Sequence, residues 1–551
     1  MNKQAKITTC GLWSGHDANY YVSIDGKSVV HNEYERHLRL KEPKGDSVQY
    51  MFDTYADYDD IKYIGTCYPT NKLTQHKKSF EKIMSIINKN DGQLFAIGHH
   101  QAHAANTFFS SNFDRSLIIT CDGGGVEDEY NNVSSFTVWE GINNKIFHLL
   151  THPINKVNIG GVWTRCTRTI FNFQSGFPRG HQAGSTMALA AFGDTDRFHN
   201  DFYRMLTTDL QQATYKHPEQ PDENTGIDPI HPYLQKWRKI ADKSMQDKYD
   251  LAAGLQSATE TFLKELMMKA LELYDTKDDI NLCLSGGVSL NSVFVGKIKF
   301  WFPRIKNVYV TPTPHDGGLP IGVCQYIWHH VLDNERIKWV DDFSPYLGRT
   351  YQKQEILETL QKYDNEIQYI QCDDSKVIDL LDKQKIIAVF GGGSESGRRA
   401  LGNRSIVVDP RRLQMKDELN NRVKHRQTWR PFAPAILKER ANNWFIEQNV
   451  NSPYMSFVAT FKENKRHLVP AVVHKDFTGR VQTVTEDNNK WWYNLLKLWE
   501  QKTGIPILLN TSFNDATPIC ETPEHAIQCF LGTDIDYVYF YDEKILVSKK
   551  V

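Results

Sequence analysis

The sequence lacks any apolar run near the roughly 18 residues that cross a bilayer, and its mean hydropathy is -0.52, so no membrane span is expected. The opening MNKQAKITTCGLW has no long apolar stretch and no small-residue cleavage site, which removes a secretory signal. Net charge is nearly absent. Against 65 Lys and Arg stand 66 Asp and Glu in 551 residues, a balance of -1. That argues against a surface built wholly to grip nucleic acid and leaves room for a local basic patch. Cysteine offers no scaffold either. The nine residues Cys10, Cys67, Cys121, Cys166, Cys283, Cys324, Cys372, Cys520 and Cys529 are odd in number and scattered, with no CxxC, so neither a disulfide framework nor a cysteine zinc site is expected. Cys121 and Cys283 sit in apolar runs and read as buried thiols in a reducing compartment. These absences together point to a soluble cytoplasmic protein. GxxxxGK[ST] and HExxH, forward or inverted, are also missing, which disfavours P-loop enzymes and metalloproteases.

What is present is an ordinary globular balance, 40% hydrophobic and 24% charged, long enough for two to four domains at about 100–200 residues each. KITTCGLW reads as a strand and SGHD as a loop. ANYYVSI and KSVVHNEY read as two strands joined at the Asp25-Gly26 turn, a good hairpin signal. The outline returns about a hundred residues on, with SLIITC, a DGGGVEDEYNN loop, SSFTVWEG and NKIFHLL. Two copies of strand, polar loop and hairpin predict a duplicated α/β domain, with Asp17 and Asp122 each in a loop just after a strand. Sugar kinases and actin-like ATPases are built from two such halves facing a cleft, a likeness of fold that does not assign function. Helical spacing over Leu251–Tyr274 places Leu251, Leu255, Phe262, Leu266 and Leu273 near one face of a core helix. INLCL then reads as a buried strand, followed by SGGVSLNS and another helix. Residues 196–247 are polar, with several Pro and Asp, and are expected to form an irregular insertion, with a substrate lid as its role. The pattern breaks at Ser344–Gly348, SPYLG, which reads as a linker between a first domain at 1–343 and a second α/β domain at 350–551.

Four constellations carry chemistry. His99 and His103 in HHQAH are four apart, so on a helix they project from one face and can share a metal. With Asp122 and Asp316 they would suit Fe(II), Mn(II) or Zn(II); the alternative is a solvated or merely hydrogen-bonded histidine segment. Ser285-Gly286-Gly287, with Asn291 beyond it, follows a strand and opens a helix, a form that brings backbone N–H groups to a phosphate. Gly317-Gly318 beside Asp316 is the candidate opposite wall. Between Arg398 and Arg430 lie ten Lys and Arg against three acids. Interleaved with Gly, Leu401, Trp429, Pro431 and Phe432, they favour a polyphosphate pocket over a nucleic-acid groove. Finally, Asn510-Thr511-Ser512-Phe513-Asn514 just past a strand can orient a small polar ligand, or can simply cap a turn.

SGHDA, HHQAHAA, CDGGG, LSGGVSLN, PTPHDGGLPIG, SPYLG, GRRALGNRSI, KHRQTWRPFAPA and LLNTSFN occur in this order over nearly the whole chain. The ordered set closely resembles the ATP-dependent O-carbamoyltransferases of the nodulation NodU and antibiotic CmcH/TobZ type. That resemblance implies a TsaD-like, actin-like (ASKHA) N-terminal domain and a YrdC-like C-terminal domain. The C-terminal domain would make carbamoyl-adenylate from carbamoyl phosphate and ATP with Mg2+, and the N-terminal one would pass the carbamoyl group to a hydroxyl. By motif, His99, His103, Asp122 and Asp316 would be metal ligands, usually for iron, Fe(II) or another divalent ion. Ser285, Gly286, Gly287, Asn291 and Gly317 would line the nucleotide site. Arg399, Lys424, Arg430, Asn510 and Ser512 would hold carbamoyl phosphate and ATP, with Lys424 and Arg430 catalytic. His16, with Asp250 as second candidate, would be the base or hydrogen-bond partner to the acceptor hydroxyl.

The chain departs from the family pattern where the acceptor should sit. AGSTMALAAFG at 183–193 stands where EGKxMGLAPYG is usual, so Ala183 and Ser185 replace an acid and a lysine; GGVWTRCTRTI and FPRGHQ within 151–182 also fit poorly, and Arg398 replaces a common proline. The acceptor is therefore left open among antibiotic, sugar, lipo-oligosaccharide and hydroxymethylated nucleobase, free or in DNA, with a homodimer as the suggested assembly. The rival readings are a tRNA threonylcarbamoyl-type modifier, which shares both folds, and a non-enzymatic nucleotide-binding regulator.

Overall fold

The computed structural model describes residues 6–173, 182–214, 232–274, 276–340 and 343–550. The chain divides into two compact units, Met1–Phe343 and Ser344–Val551.

The first unit holds two five-stranded sheets. One is made of β1 (Thr8–Trp13), β2 (Asn19–Ile24), β3 (Lys27–Glu33), β4 (Ile61–Cys67) and β5 (Gln93–Ile97); the other of β6 (Arg115–Val126), β7 (Val133–Ile142), β8 (Lys145–Pro153), β9 (Ile280–Ser285) and β10 (Ile305–Val310). Their orders are β3-β2-β1-β4-β5 and β8-β7-β6-β9-β10. In each sheet the first strand pairs antiparallel with its hairpin and parallel with the strand on its other side. Identical order and direction make the two sheets copies of one plan, so the duplicated actin-like α/β arrangement is present. Strand β1 is buried along its whole length, as a central strand covered on both faces must be, whereas the outer strand β3 alternates between exposed and half-buried residues until its last three.

Three local expectations are corrected. Strand β6 does not stop at Cys121; it runs on through the three glycines to Val126, with a shift of register against β7 between Cys121 and Gly125. Asp122 thus sits on a bulge within a strand, a device that re-aims a side chain. Residues 196–247 are helical where described, as His199–Leu206 and Pro232–Ala241. Their polar composition hides amphipathic faces, Phe202, Met205 and Leu206 on the first and Leu234 and Trp237 on the second, which pack on the long helix Met245–Leu273. Residues 215–231 of that segment lie outside the described residues, as do 177–181 of FPRGHQ. The SPYLG segment is bonded into the second unit: Gly348 N–H donates to Ser394 O at 3.0 Å, and Tyr346 O–H to Leu401 O at 3.0 Å.

The second unit is built on an eight-stranded mixed sheet, in the order Ile367–Gln371, Ile545–Lys549, Tyr537–Phe540, Ile387–Phe390, Arg404–Val408, Ile507–Ser512, Ala433–Leu437, Gln482–Val484. Successive residues feed opposite faces. Ile406 and Val408 enter one apolar cluster with Phe390 and Ile507, while Val407 enters the other with Leu508, Trp492 and Trp499. Those tryptophans lie seven apart on the helix Lys490–Thr503, whose first turn is capped by Asn489. Among the described residues no helix is long and apolar enough to cross a membrane.

Candidate functional site

In the first unit four side chains converge from three elements. The helix His99–Ser110 turns His99 and His103 to one side, with Nε2 atoms 3.2 Å apart. Asp122 on the β6 bulge places Oδ2 3.2 Å from His103 Nε2. Asp316, opening the turn Asp316–Gly318, places Oδ1 3.4 Å from His99 Nε2 and 3.6 Å from His103 Nε2. One ligand atom from each lies within 4.8 Å of all the others. Two imidazole nitrogens and two carboxylate oxygens aimed at one point fit a divalent ion such as Fe(II), Mn(II) or Zn(II). The cluster's own electrostatics favour positive charge. Burial opposes charge on His103, but hydrogen bonds and attraction from Asp122 and Asp316 outweigh it and raise the imidazole to about 9. Asp122 is held at about 2, burial being overcome chiefly by His103, and Asp316 lies well below the usual carboxylate range, its burial overcome by His99 and His16.

The glycine turn after β9 serves this cluster directly. Gly287 N–H donates to Asp122 Oδ2 at 2.9 Å, and Ser285 Oγ lies 3.4 Å from His103 Nδ1 and 3.3 Å from Pro314 O. Gly286 has φ +85°, and a Cβ there would lie 2.2 Å from Cys121 O, so only glycine lets the turn approach β6. One of the turn's N–H groups is thus engaged by the chain's own Asp122. Asn291 caps the helix Ser292–Trp301 through a 3.2 Å bond from Phe294 N–H and exchanges amide hydrogen bonds with Gln256. Gly317 lies in the buried turn beside His315.

His16 reaches the cluster from the loop after β1. Its Nε2 is 3.2 Å from Asp316 Oδ2 and its Nδ1 3.0 Å from Asp17 Oδ2. Asp316, against burial and with help from Asp17, raises it to about 10; solvent around a side chain 58% exposed screens part of that attraction. Asp250 is placed differently. Its carboxylate accepts from Asp194 N–H at 2.9 Å, Arg197 at 2.8 Å and Gln246 at 2.7 Å. These donors overcome burial and hold it below the ordinary carboxylate range. An ionised carboxylate with both oxygens engaged makes a tie between the 194–197 loop and the long helix, and a poor proton acceptor. Ser185 is fully buried in the helix Ala183–Ala190, its hydroxyl on Gln182.

In the second unit the ten cations of the 398–430 stretch separate by task. Arg404 is fully buried, and its two terminal nitrogens donate to the Gly391, Gly392 and Asn403 carbonyls. Arg411 pairs with Asp409 and Asp382, Arg412 with Glu418, and Arg422 with Asp536. Lys424 bonds Ser512 O at 2.5 Å, Asn514 O at 2.8 Å and Asn514 Oδ1 at 2.7 Å, which fixes the loop past Ile507–Ser512; Ser512 Oγ–H donates to Asn514 Oδ1. Arg399 and Arg430 have no carboxylate partner among the described residues. Burial, then Arg480, Arg398 and Arg430, depress Arg399 well below the usual guanidinium range, and burial depresses Arg430. Arg480, on the short strand Thr478–Arg480, joins them, pushed down to about 10 by burial and by Arg430 and Arg426. Half-buried guanidinium groups crowded together, with no carboxylate partner among the described residues, suit anionic oxygens. Beside the same loop, Asn510 donates to Gln482 Oε1 and Ala400 O, and its buried Oδ1 has no donor.

Family models for the carbamoyltransferase N-terminus and C-terminus match residues 10–324 and 378–549. The chain belongs to the carbamoyltransferase family. It is similar to the nodulation protein NolNO of Sinorhizobium fredii, 29% identical over 95% of this chain and 77% of that one. It is also similar to NolO of Bradyrhizobium diazoefficiens, 31% identical over 80% of this chain and 77% of its relative, and to nodulation protein U of S. fredii, 32% identical over 48% and 45%. In this carbamoyltransferase the His/Asp cluster falls within the N-terminal match and the arginine cluster within the C-terminal match. Two further site residues carry no motif around them. Arg480 is a lone cation 50 residues past the basic stretch, and Glu127 lies in a segment that reads as an acidic loop.

Proposed function

We propose that the chain is an O-carbamoyltransferase that forms carbamoyl-adenylate from carbamoyl phosphate and ATP and passes the carbamoyl group to an alcohol. Carbamoyl phosphate, water and ATP would give the adenylate, phosphate and pyrophosphate; the acceptor oxygen would then bond to the carbamoyl carbon as AMP leaves and the hydroxyl proton departs. The observation that carries this reading is the set of half-buried arginines, Arg399, Arg430 and Arg480, with no carboxylate partner among the described residues, in a chain matched by both carbamoyltransferase models. These cations suit the triphosphate and the carbamoyl phosphate. Asn510 Oδ1 suits a carbamoyl N–H, the donor that distinguishes this acyl group from acetyl.

In the first unit His99, His103, Asp122 and Asp316 would hold the divalent ion. Such an ion supplies Lewis-acid polarisation and charge neutralisation. His16, between Asp17 and Asp316, is placed to hydrogen-bond the acceptor hydroxyl.

Purified protein given ATP, Mg2+ and carbamoyl phosphate should release pyrophosphate, and Arg430→Ala should abolish that release. A requirement for bicarbonate and threonine in place of carbamoyl phosphate would move the assignment to a threonylcarbamoyl-type modifier. No pyrophosphate under either condition would overturn adenylate formation. The acceptor class is read by mass spectrometry as a gain of about 43 Da, one CONH, on candidate alcohols.

A further inference from the structure

We infer that Glu127 is a positioning residue that clamps the metal-binding histidine pair against Asp122. This rests on the proposal that the His/Asp cluster holds a divalent ion. The helix carrying His99 and His103 opens on Gly98, which has no side chain to cap the first turn, and an uncapped turn leaves backbone donors unsatisfied. The missing cap comes from a distant residue. Both Glu127 carboxylate oxygens lie 3.2 Å from His100 N, and Oε1 also accepts from Ser134 Oγ–H at 2.5 Å. The negative charge stands at the positive end of the helix. The approach needs glycine at 98, where a Cβ would lie 2.7 Å from Glu127 Oε2.

The bonds close into a ring. His100 Nε2 is 3.2 Å from Ser134 O, and a carbonyl only accepts, so Nε2 carries the proton. His100 Nδ1 lies 2.5 Å from Thr120 Oγ1, which lies 2.7 Å from Thr137 Oγ1, and Thr137 Oγ1 receives the Trp139 indole N–H at 2.6 Å. The middle histidine of HHQAH is therefore a peg, bonded through both ring nitrogens to β6 and β7. Glu127 follows directly after β6, Ser134 opens β7, and His100 lies in the helix. One clamp thus ties the strand bearing Asp122 to the helix bearing both imidazoles, without contributing a ligand. Outer partners that orient metal ligands typically govern roughly 10–100-fold in metal affinity.

The test titrates full-length protein, stripped with chelator, with Co(II), following the visible spectrum. Glu127→Ala should bind roughly 10–100-fold more weakly, with an altered band shape. Glu127→Gln, whose amide oxygen still accepts from His100 N–H, should recover most of that loss, and Ser134→Ala should fall between wild type and Glu127→Ala. Melting in chelator separates positioning from folding, because a clamp shifts affinity and spectrum while the metal-free melting temperature moves by a few degrees at most. Wild-type affinity and spectrum in Glu127→Ala would overturn the inference, as would equal losses in the Ala and Gln variants. Wild-type protein that takes up no Co(II) would overturn the metal reading itself, a separate result.

Discussion

Replacing Arg480 with glutamine should make the ligand-free protein more stable and the enzyme worse. The guanidinium is pushed from 12.5 to about 10, first by burial and then by Arg430 and Arg426. At ~1.36 kcal/mol per tenfold change, holding this cation costs up to about 3 kcal/mol. Its Nε is buried without a partner, and among the described residues its guanidinium has no acceptor, so glutamine forfeits no hydrogen bond. With partial solvent screening and some lost stem packing, a gain of about 1–3 kcal/mol remains, or roughly 2–10 °C in the second unit's melting. Binding moves the other way. A charge-assisted bond to phosphate is worth about 1.5–3 kcal/mol, so the affinity for pyrophosphate or ATP should fall roughly 10–150-fold. A wild-type protein at 100 times Kd gains about 2.7 kcal/mol from ligand, and the variant should gain far less at the same concentration. Thermal melts with and without pyrophosphate read both effects. A variant that melts below wild type without ligand, or that keeps the full ligand-induced rise, would refute the claim that Arg480 is an uncompensated cation facing an anion.

His103→Ala should lose the bound ion, read by metal analysis after purification in the presence of Fe(II) or Mn(II), because it removes an imidazole that lies within 3.6 Å of both carboxylates. Arg336→Met should lower the first unit's melting temperature by on the order of 5–15 °C. Its guanidinium donates to Phe108 O, Ser111 O, Phe113 O and Asn143 O at the far end of the helix His99–Ser110, and stranding four acceptors costs about 3–5 kcal/mol. Asp250→Asn should destabilise by about 1–3 kcal/mol at pH 7. Because the Asp250 carboxyl is held below its ordinary value, its contribution is present above about pH 4 and is lost as pH falls, so melts taken from pH 7 down to pH 3 should show the variant and wild type converging.

Much of the first unit was legible because its information is local. The i,i+4 spacing of His99 and His103 sets one helical face, and Asp25-Gly26 sets a turn, so hairpin, duplication and the convergence of the two imidazoles could all be read along the chain. What escaped is set by approach between distant segments. That β6 continues past Asp122 depends on pairing with β7, which no run of glycines announces. The glycine turn after β9 has the outward form of a phosphate loop, and that form does not announce that Gly287 N–H reaches Asp122. The helices within 196–247 were masked by polar residues on their outer faces, since composition averages away a stripe of Phe202, Met205 and Leu206. Arg480 lies in a segment with no local charge excess and joins Arg399 and Arg430 only when the second unit folds.

A net charge of -1 conceals two imbalances of opposite sign. The first unit gathers Asp17, Asp122 and Asp316 around imidazoles; the second gathers arginines, of which Arg399, Arg430 and Arg480 have no carboxylate partner among the described residues. Each cluster is incomplete without its ligand, and a ligand that binds only the folded form stabilises by mass action. Because the clusters belong to separate compact units and share no side chain, a divalent ion and pyrophosphate should stabilise independently, within about 0.5 kcal/mol of additivity. The ion should raise the melting of the first unit and pyrophosphate that of the second, with His103→Ala cancelling only the former and Arg430→Ala only the latter. Calorimetry with each ligand, both and neither gives the comparison. If His103→Ala abolished the pyrophosphate effect, the two charge imbalances would not be separate sites, and the assignment of ion to one and phosphates to the other would fail.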